Sequence, residues 1–173
     1  MIGRAFIFIN YKQAAHFGHI GWGFKLDGYD RYFFGSTDHL IHHDMLDLIG
    51  WIKYSSVGVG ADVDYWAQEG TLATMLDIMK SGNHIRYHHY KAFPVQNAKP
   101  KEAMQAAEAS GAGGWDVLKN NCVHQTYSVF QAYGATLPEP PPLIRGVGLI
   151  PRVWFKNIQG ELGELRPPST PGL

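Results

Sequence analysis

The segment from Phe17 to Ser36 constrains the fold more than any other stretch of the chain. Residues 17–26 alternate, with Ile20, Trp22, Phe24 and Leu26 on one face and Phe17, His19, Gly21, Gly23 and Lys25 on the other. Asp27-Gly28-Tyr29-Asp30 is turn chemistry, and Arg31 to Ser36 reads as the returning strand of a hairpin. A pattern of period two tied to a tight turn has little freedom, because a slip of one residue moves every side chain to the wrong face. Two registers satisfy it. If Gly28 and Tyr29 form the turn, His19 faces Asp38. If Asp27 and Gly28 form it, His19 faces Ser36.

Around this hairpin the chain alternates short strands with helices. Residues 4–9 are a buried strand, aromatic and β-branched and ended by Asn10. A short helical pattern covers 39–49, and 56–62 is a loop or weak strand. Trp66, Leu72, Met75, Leu76 and Met79 stand at helical spacing, which predicts a helix over 64–80 with Gly82 as its stop. Ile85 to Val95 reads as a strand. Pro100 opens an Ala-rich helix to about Ser110, Gly111 to Gly114 form a hinge, and a last helix runs from Asn121 to Tyr133, closed by Gly134. Strands early, with helices between and after them, predict an α+β domain with an antiparallel sheet packed against helices. That domain spans 1–137. The remaining residues, 138–173, hold eight of the ten prolines and are expected to be an extended wrap or tail.

Fifteen Lys plus Arg balance fifteen Asp plus Glu, so no basic field exists to attract a nucleic acid. Near-zero net charge offers little repulsion between copies, which leaves room for self-association. One Cys excludes an intrachain disulfide and fits a reducing compartment. The apolar run Ala5 to Ile9 is too short for a signal-peptide core, and no run approaches the roughly 20 residues of a membrane span. The expectation is a cytoplasmic chain without a transmembrane segment.

That single Cys stands in Lys119-Asn120-Asn121-Cys122-Val123-His124-Gln125, in the first turn of a predicted helix. Asn121 is a good N-cap, since its side-chain oxygen can accept from an unpaired backbone N–H. The positive end of the helix dipole favours a thiolate at Cys122, and the free amides there could hold an oxyanion. A reactive thiol needs a base. Of nine histidines His19 is the best placed, with Gly21 and Gly23 on its face leaving space for a helix to pack close.

His19-Ile20-Gly21 early, Asn121-Cys122-Val123-His124 late, and Gly134 to Leu137-Pro138 closing the helix resemble the circularly permuted NlpC-type branch of the papain-like fold. That branch includes the lecithin:retinol acyltransferase-like proteins, in which an Asn-Cys-x-His helix start recurs. Tyr90-Lys91-Ala92-Phe93, followed by an Ala-rich helix and then the Cys helix, fits the same layout. The resemblance implies a thiol hydrolase that cleaves an amide or ester of a small-molecule, peptide or lipid-like substrate, with Cys122 as nucleophile, His19 as base and no cofactor. It also implies a polar residue that orients the base, on the strand after the His strand. The two hairpin registers offer Asp38 or Ser36, and a carboxylate fixes the tautomer better than a hydroxyl does.

Trp115, a short loop before the Cys, and Tyr11, just after the first strand, are further candidates to touch substrate or oxyanion beside Asn121. His39, His42 and His43, and again His84, His88 and His89, cluster without the spacing of a closed zinc site, so no metal is assigned. Three other functions fit the same residues: an acyltransferase on the same fold, a binding module without turnover, and a histidine-rich metal-binding protein in which Cys122 is a ligand.

Overall fold

Strand β1 (Gly3–Asn10) is apolar on both faces, and that decides where it lies. Ala5, Ile7 and Ile9 are buried on one side and Phe6 and Phe8 on the other, so the strand must be covered by protein above and below. The computed structural model describes residues 1–12, 18–39, 56–57, 63–81, 87–116, 120–140 and 150–165. In it β1 is central. It pairs antiparallel with β2 (His19–Lys25) and with β6 (His89–Val95). β3 (Tyr32–His39) pairs with β2, β5 (Val63–Gly70) with β3, and β8 (Glu161–Glu164) with β6. The resulting six-stranded antiparallel sheet has the order β5-β3-β2-β1-β6-β8. Two short strands, β4 (Ser56–Val57) and β7 (Trp115–Asp116), pair apart from it. The fold is α+β.

Helices cover both faces of the sheet. On the face of Ile7, Ile20, Trp22 and Phe24 lie α2 (Pro100–Ala112), α3 (Cys122–Tyr133) and α4 (Pro151–Asn157). They contribute Ala103, Val129, Phe130 and Trp154 to one core. On the other face α1 (Leu72–Ser81) buries Met75 and Met79 against Phe6, Phe8 and Phe34.

The hairpin adopts the register of the Gly28-Tyr29 turn: Trp22 lies opposite Gly35, Lys25 opposite Tyr32, and the Leu26 N–H donates to the Arg31 carbonyl at 2.8 Å. Gly28 takes a φ of 108°, the positive value that the first central position of a II′ turn demands. The pairing of β2 with β3 ends at Trp22 and Gly35, short of His19, Ser36 and Asp38.

Three expectations change. Residues 63–70 are strand, not the first half of a helix, because eight consecutive pairs join them to β3 and their half-buried side chains alternate between the two faces. The helix starts two residues after the strand ends, at Leu72. Its first turn is capped by Asp30 Oδ1 on the Leu72 N–H and by Thr71 Oγ1 on the Thr74 N–H, each at 3.1 Å. Second, Gly111 is no hinge: α2 runs through it, and the missing side chain lets Tyr65 pack there, since a Cβ would lie 2.7 Å from Tyr65 Cγ. Third, the proline-rich C-terminal segment contains α4 and β8. Trp154 and Phe155 are 2% exposed within the α3-side core, so this segment is part of the packed domain. The helical pattern at 39–49 lies outside the described residues beyond His39, which ends β3. Of the histidines that were clustered in sequence, His42, His43 and His84 also lie outside.

Candidate active site

Helix α3 begins at Cys122 because Asn121 stops the chain from being helical one residue sooner. Asn121 is extended (φ −84°, ψ −179°), and its Oδ1 accepts from the Val123 N–H at 2.9 Å and the His124 N–H at 3.3 Å. The Asn121 carbonyl takes the first intrahelical bond, from the Gln125 N–H at 3.0 Å. At the far end Gly134 is left-handed (φ 94°) and closes the helix. Replacing Asn121 by Ala is expected to cost about 1 kcal/mol of stability, with Asp at that position restoring most of it. Urea denaturation of the three proteins measures both effects.

The cap also revises the oxyanion expectation. With Val123 and His124 amides bound to Asn121 Oδ1 and the Gln125 amide bound to its carbonyl, any oxyanion donor from this first turn has to be the Cys122 N–H. Asn121 therefore serves the site by starting the helix where it does.

Two residues that the sequence did not single out hold the approach to the helix. Gln125 Nε2 donates to the carbonyls of Gly114 (3.0 Å) and Asn120 (3.1 Å), and Asn120 Nδ2 donates to the same Gly114 carbonyl at 3.0 Å. Gln125 is buried three positions after Cys122. A polar residue at that spacing on the buried face of a helix was the available signal.

The course of α3 across the sheet decides what Cys122 is near. Tyr133, at the helix C-terminus, donates its hydroxyl to the Lys25 carbonyl at 2.6 Å, and its ring lies 4.9 Å from that of Phe24. Tyr133 thus marks the Lys25 end of β2. Back along α3, Cys122 is about 17 Å away at 1.5 Å per residue, and back along β2, His19 is about 20 Å away at 3.3 Å per residue. Helix α3 packs on both β2 and β3. Both residues are buried, Cys122 at 5% and His19 at 2% exposure.

Strand alternation puts His19 with Gly21 and Gly23, on the α1 face, whereas Cys122 belongs to the core of Ile20 and Trp22. The two glycines admit other neighbours than the Cys helix. A Cβ on Gly21 would lie 2.6 Å from the Tyr87 hydroxyl, and one on Gly23 would lie 2.5 Å from the Met75 sulfur. The His19 ring stands 6.1 Å from that of Tyr87. His19 is the first residue of β2, beside Gly18 (φ 94°), so a contact between its imidazole and the thiol would have to run past the strand's end.

Asp38 lies in β3, opposite Asp64 of β5 and beyond the last β2–β3 pair at Trp22 and Gly35. Ser36 is fully buried on the face of Phe34, and its hydroxyl has no hydrogen-bond partner among the described residues. Tyr11 follows β1; its ring packs edge-on to His89 and Phe155, its N–H donates to His88 Nδ1 at 3.1 Å, and burial raises its pKa. The His88 pKa is lowered, by burial first and then by Lys12 and His89. Trp115 lies in β7, opposite Val57. Among the described residues no three His, Cys, Asp or Glu side chains are grouped to hold a metal ion, and no helix is long and apolar enough to cross a membrane.

No family model, no curated protein and no solved structure matches this chain.

Proposed function

We propose that this chain is a thiol-dependent hydrolase of the permuted NlpC-type, papain-like kind, cleaving an amide or ester through Cys122 and His19 in a reducing, cytoplasmic setting. What supports the reading is the place of Cys122 in the first turn of a capped helix that packs on β2, the strand that His19 begins. His19 takes the thiol proton, and the Cys122 sulfur attacks the carbonyl carbon. The Cys122 N–H and a second donor from outside the helix hold the oxyanion. Protonated His19 then gives the proton to the departing amine or alcohol, and an acyl-enzyme remains. Water, deprotonated by His19, releases the acid and restores the thiol. Asp38, on the strand that returns from the hairpin, is the residue we assign to hold the other ring nitrogen.

Alkylation of the thiol by iodoacetamide across pH tests the pair. The wild type is expected to titrate below the ordinary thiol value of about 8.5, and His19→Ala is expected to move the curve upward. Superimposable curves for the two proteins would overturn the assignment of His19 as base.

A further inference from the structure

A concave groove of about 420 Å³ opens where α4 meets the sheet, and its lining has one sign of charge. Lys91 from β6 and Arg152 and Lys156 from α4 are its ionisable cations; Tyr11, Phe155 and Leu162 supply most of its apolar wall. Among the described residues no carboxylate lines it. The nearest acids on β8 are directed elsewhere or outside: Glu161 pairs with Arg4 at 3.4 Å, and Glu164 stands at the register position opposite His89, outside the lining.

Arg152 and Lys156 are four residues apart on α4 and both exposed. Like charges at that spacing destabilise a helix by about 0.2–0.5 kcal/mol, and among the described residues neither has an ion-pair partner. Lys91 is held in place. Its ammonium donates to the Ile158 carbonyl at 2.6 Å and the Lys156 carbonyl at 3.1 Å, and sits 5.2 Å from the Phe155 ring centre. Two of its three N–H groups are thereby used, which leaves one for a ligand. Leu162 is 61% exposed on the opposite wall. Three cations beside an aromatic ring and an open leucine match a molecule that is acidic at one end and apolar at the other.

The groove also borders the proposed active site. A Cβ on Gly18 would lie 3.4 Å from the Arg152 backbone nitrogen, and Gly18 immediately precedes His19. We propose that this groove binds a small soluble amphiphile. Its carboxylate or phosphate pairs with Arg152, Lys156 and the remaining Lys91 N–H, and its apolar part lies on Phe155 and Leu162. That the bound molecule is the acid-bearing part of the substrate rests on the Cys122–His19 reading; the binding itself does not. A concavity of this volume is of the size that encloses small ligands.

Calorimetric titration with octyl phosphate below its micellar concentration tests the groove. The uncharged octyl glucoside is the matched control, and phosphatidylcholine vesicles with one quarter phosphatidylglycerol are a third arm. The expected result is one-to-one binding of octyl phosphate, with octyl glucoside about tenfold or more weaker. Arg152→Gln combined with Lys156→Gln should weaken octyl phosphate by about tenfold or more, because two charge-assisted contacts are lost. Lys80→Gln, on α1 across the sheet, should bind as the wild type does. Absent binding, equal affinity for the two octyl compounds, an undiminished double variant, or binding to the vesicles alone would each overturn the proposal. Any of these leaves the alkylation result for Cys122 standing, and the converse also holds.

Discussion

Cys122→Ala should abolish hydrolysis of an activated ester such as p-nitrophenyl acetate, and His19→Ala should slow it by about 10²–10⁴-fold, the usual range for a general base. Neither change should alter the urea midpoint by much, since Cys122 loses one sulfur from a site at the margin of the core and His19 ends a strand. The orienting residue gives a graded version of the same result. Asp38→Asn keeps the shape but favours the wrong imidazole tautomer and leaves the imidazolium unstabilised, so its loss should fall on kcat with KM nearly unchanged. Ser36, paired with Trp66 of β5, is not assigned that role, and Ser36→Ala should be close to wild type in activity. Full activity in Cys122→Ala would sink the covalent mechanism. Full activity in Asp38→Asn alone would move the orienting role to another acceptor and spare the Cys–His pair.

Gly35→Ala should be among the most damaging single substitutions in the chain. A Cβ there would overlap the Trp66 carbonyl oxygen and approach Ala67 Cα to 2.9 Å, and both are backbone atoms of the neighbouring strand. Side chains can rotate away from an intruder, whereas β5 would have to separate from β3 along a ladder of eight pairs. Overpacking of a rigid site costs about 1–3 kcal/mol and sometimes more, and this one belongs at the upper end or beyond. Gly28→Ala is the comparison. Its φ of 108° strains an alanine, but the nearest atom to a new Cβ is the Arg31 Cδ at 3.8 Å, at the end of a mobile side chain. A urea midpoint for Gly35→Ala no lower than that for Gly28→Ala would contradict the packing argument.

The parts of the fold visible in the sequence were those whose signals are local. β1 and the β2–β3 hairpin carry their own alternation and turn residues. Helix α3 carries both its stop signals, Asn121 and Gly134, and the capping geometry follows them. The parts that were missed depend on partners distant in sequence. Tyr65 and Ala67 point to the α3 side while Trp66 packs with Phe34 on the other, a pattern that a reading at helical spacing takes for a continuation of the helix behind it. Only pairing with β3 settles it. The prolines after residue 138 masked α4 and β8, although Pro151 is well suited to a first helical turn and Trp154 has a buried place, its indole N–H donating to the Pro138 carbonyl at 2.9 Å. Near the candidate site, the two possible hairpin registers were legible in the chain, and the one with the Gly28-Tyr29 turn is adopted between Trp22 and Lys25. The face on which His19 starts, and the filling of the glycine gaps by Tyr87 and Met75, were not, because both depend on what packs over β2.

The strand order β5-β3-β2-β1-β6-β8 has a bearing on synthesis. The sheet's two innermost strands, β1 and β2, come before the others in the chain; β3 and β5 then extend one flank and β6 and β8 the other, so the sheet can widen outward as the chain leaves the ribosome. The last described pieces to emerge are α4 and β8. They bring Trp154 and Phe155 to a core begun by β1, and they close the wall against Gly18 and the His19 end of β2. A nascent chain that stops short of residue 150 would already carry Cys122 and His19, but with that wall missing. The thiol would then be more open to water and oxidants than in the finished protein. The roughly 40 residues from Cys122 to the end of β8 take about 2–8 s to make at 5–20 residues per second, and for that interval the His19 end of β2 lacks this wall.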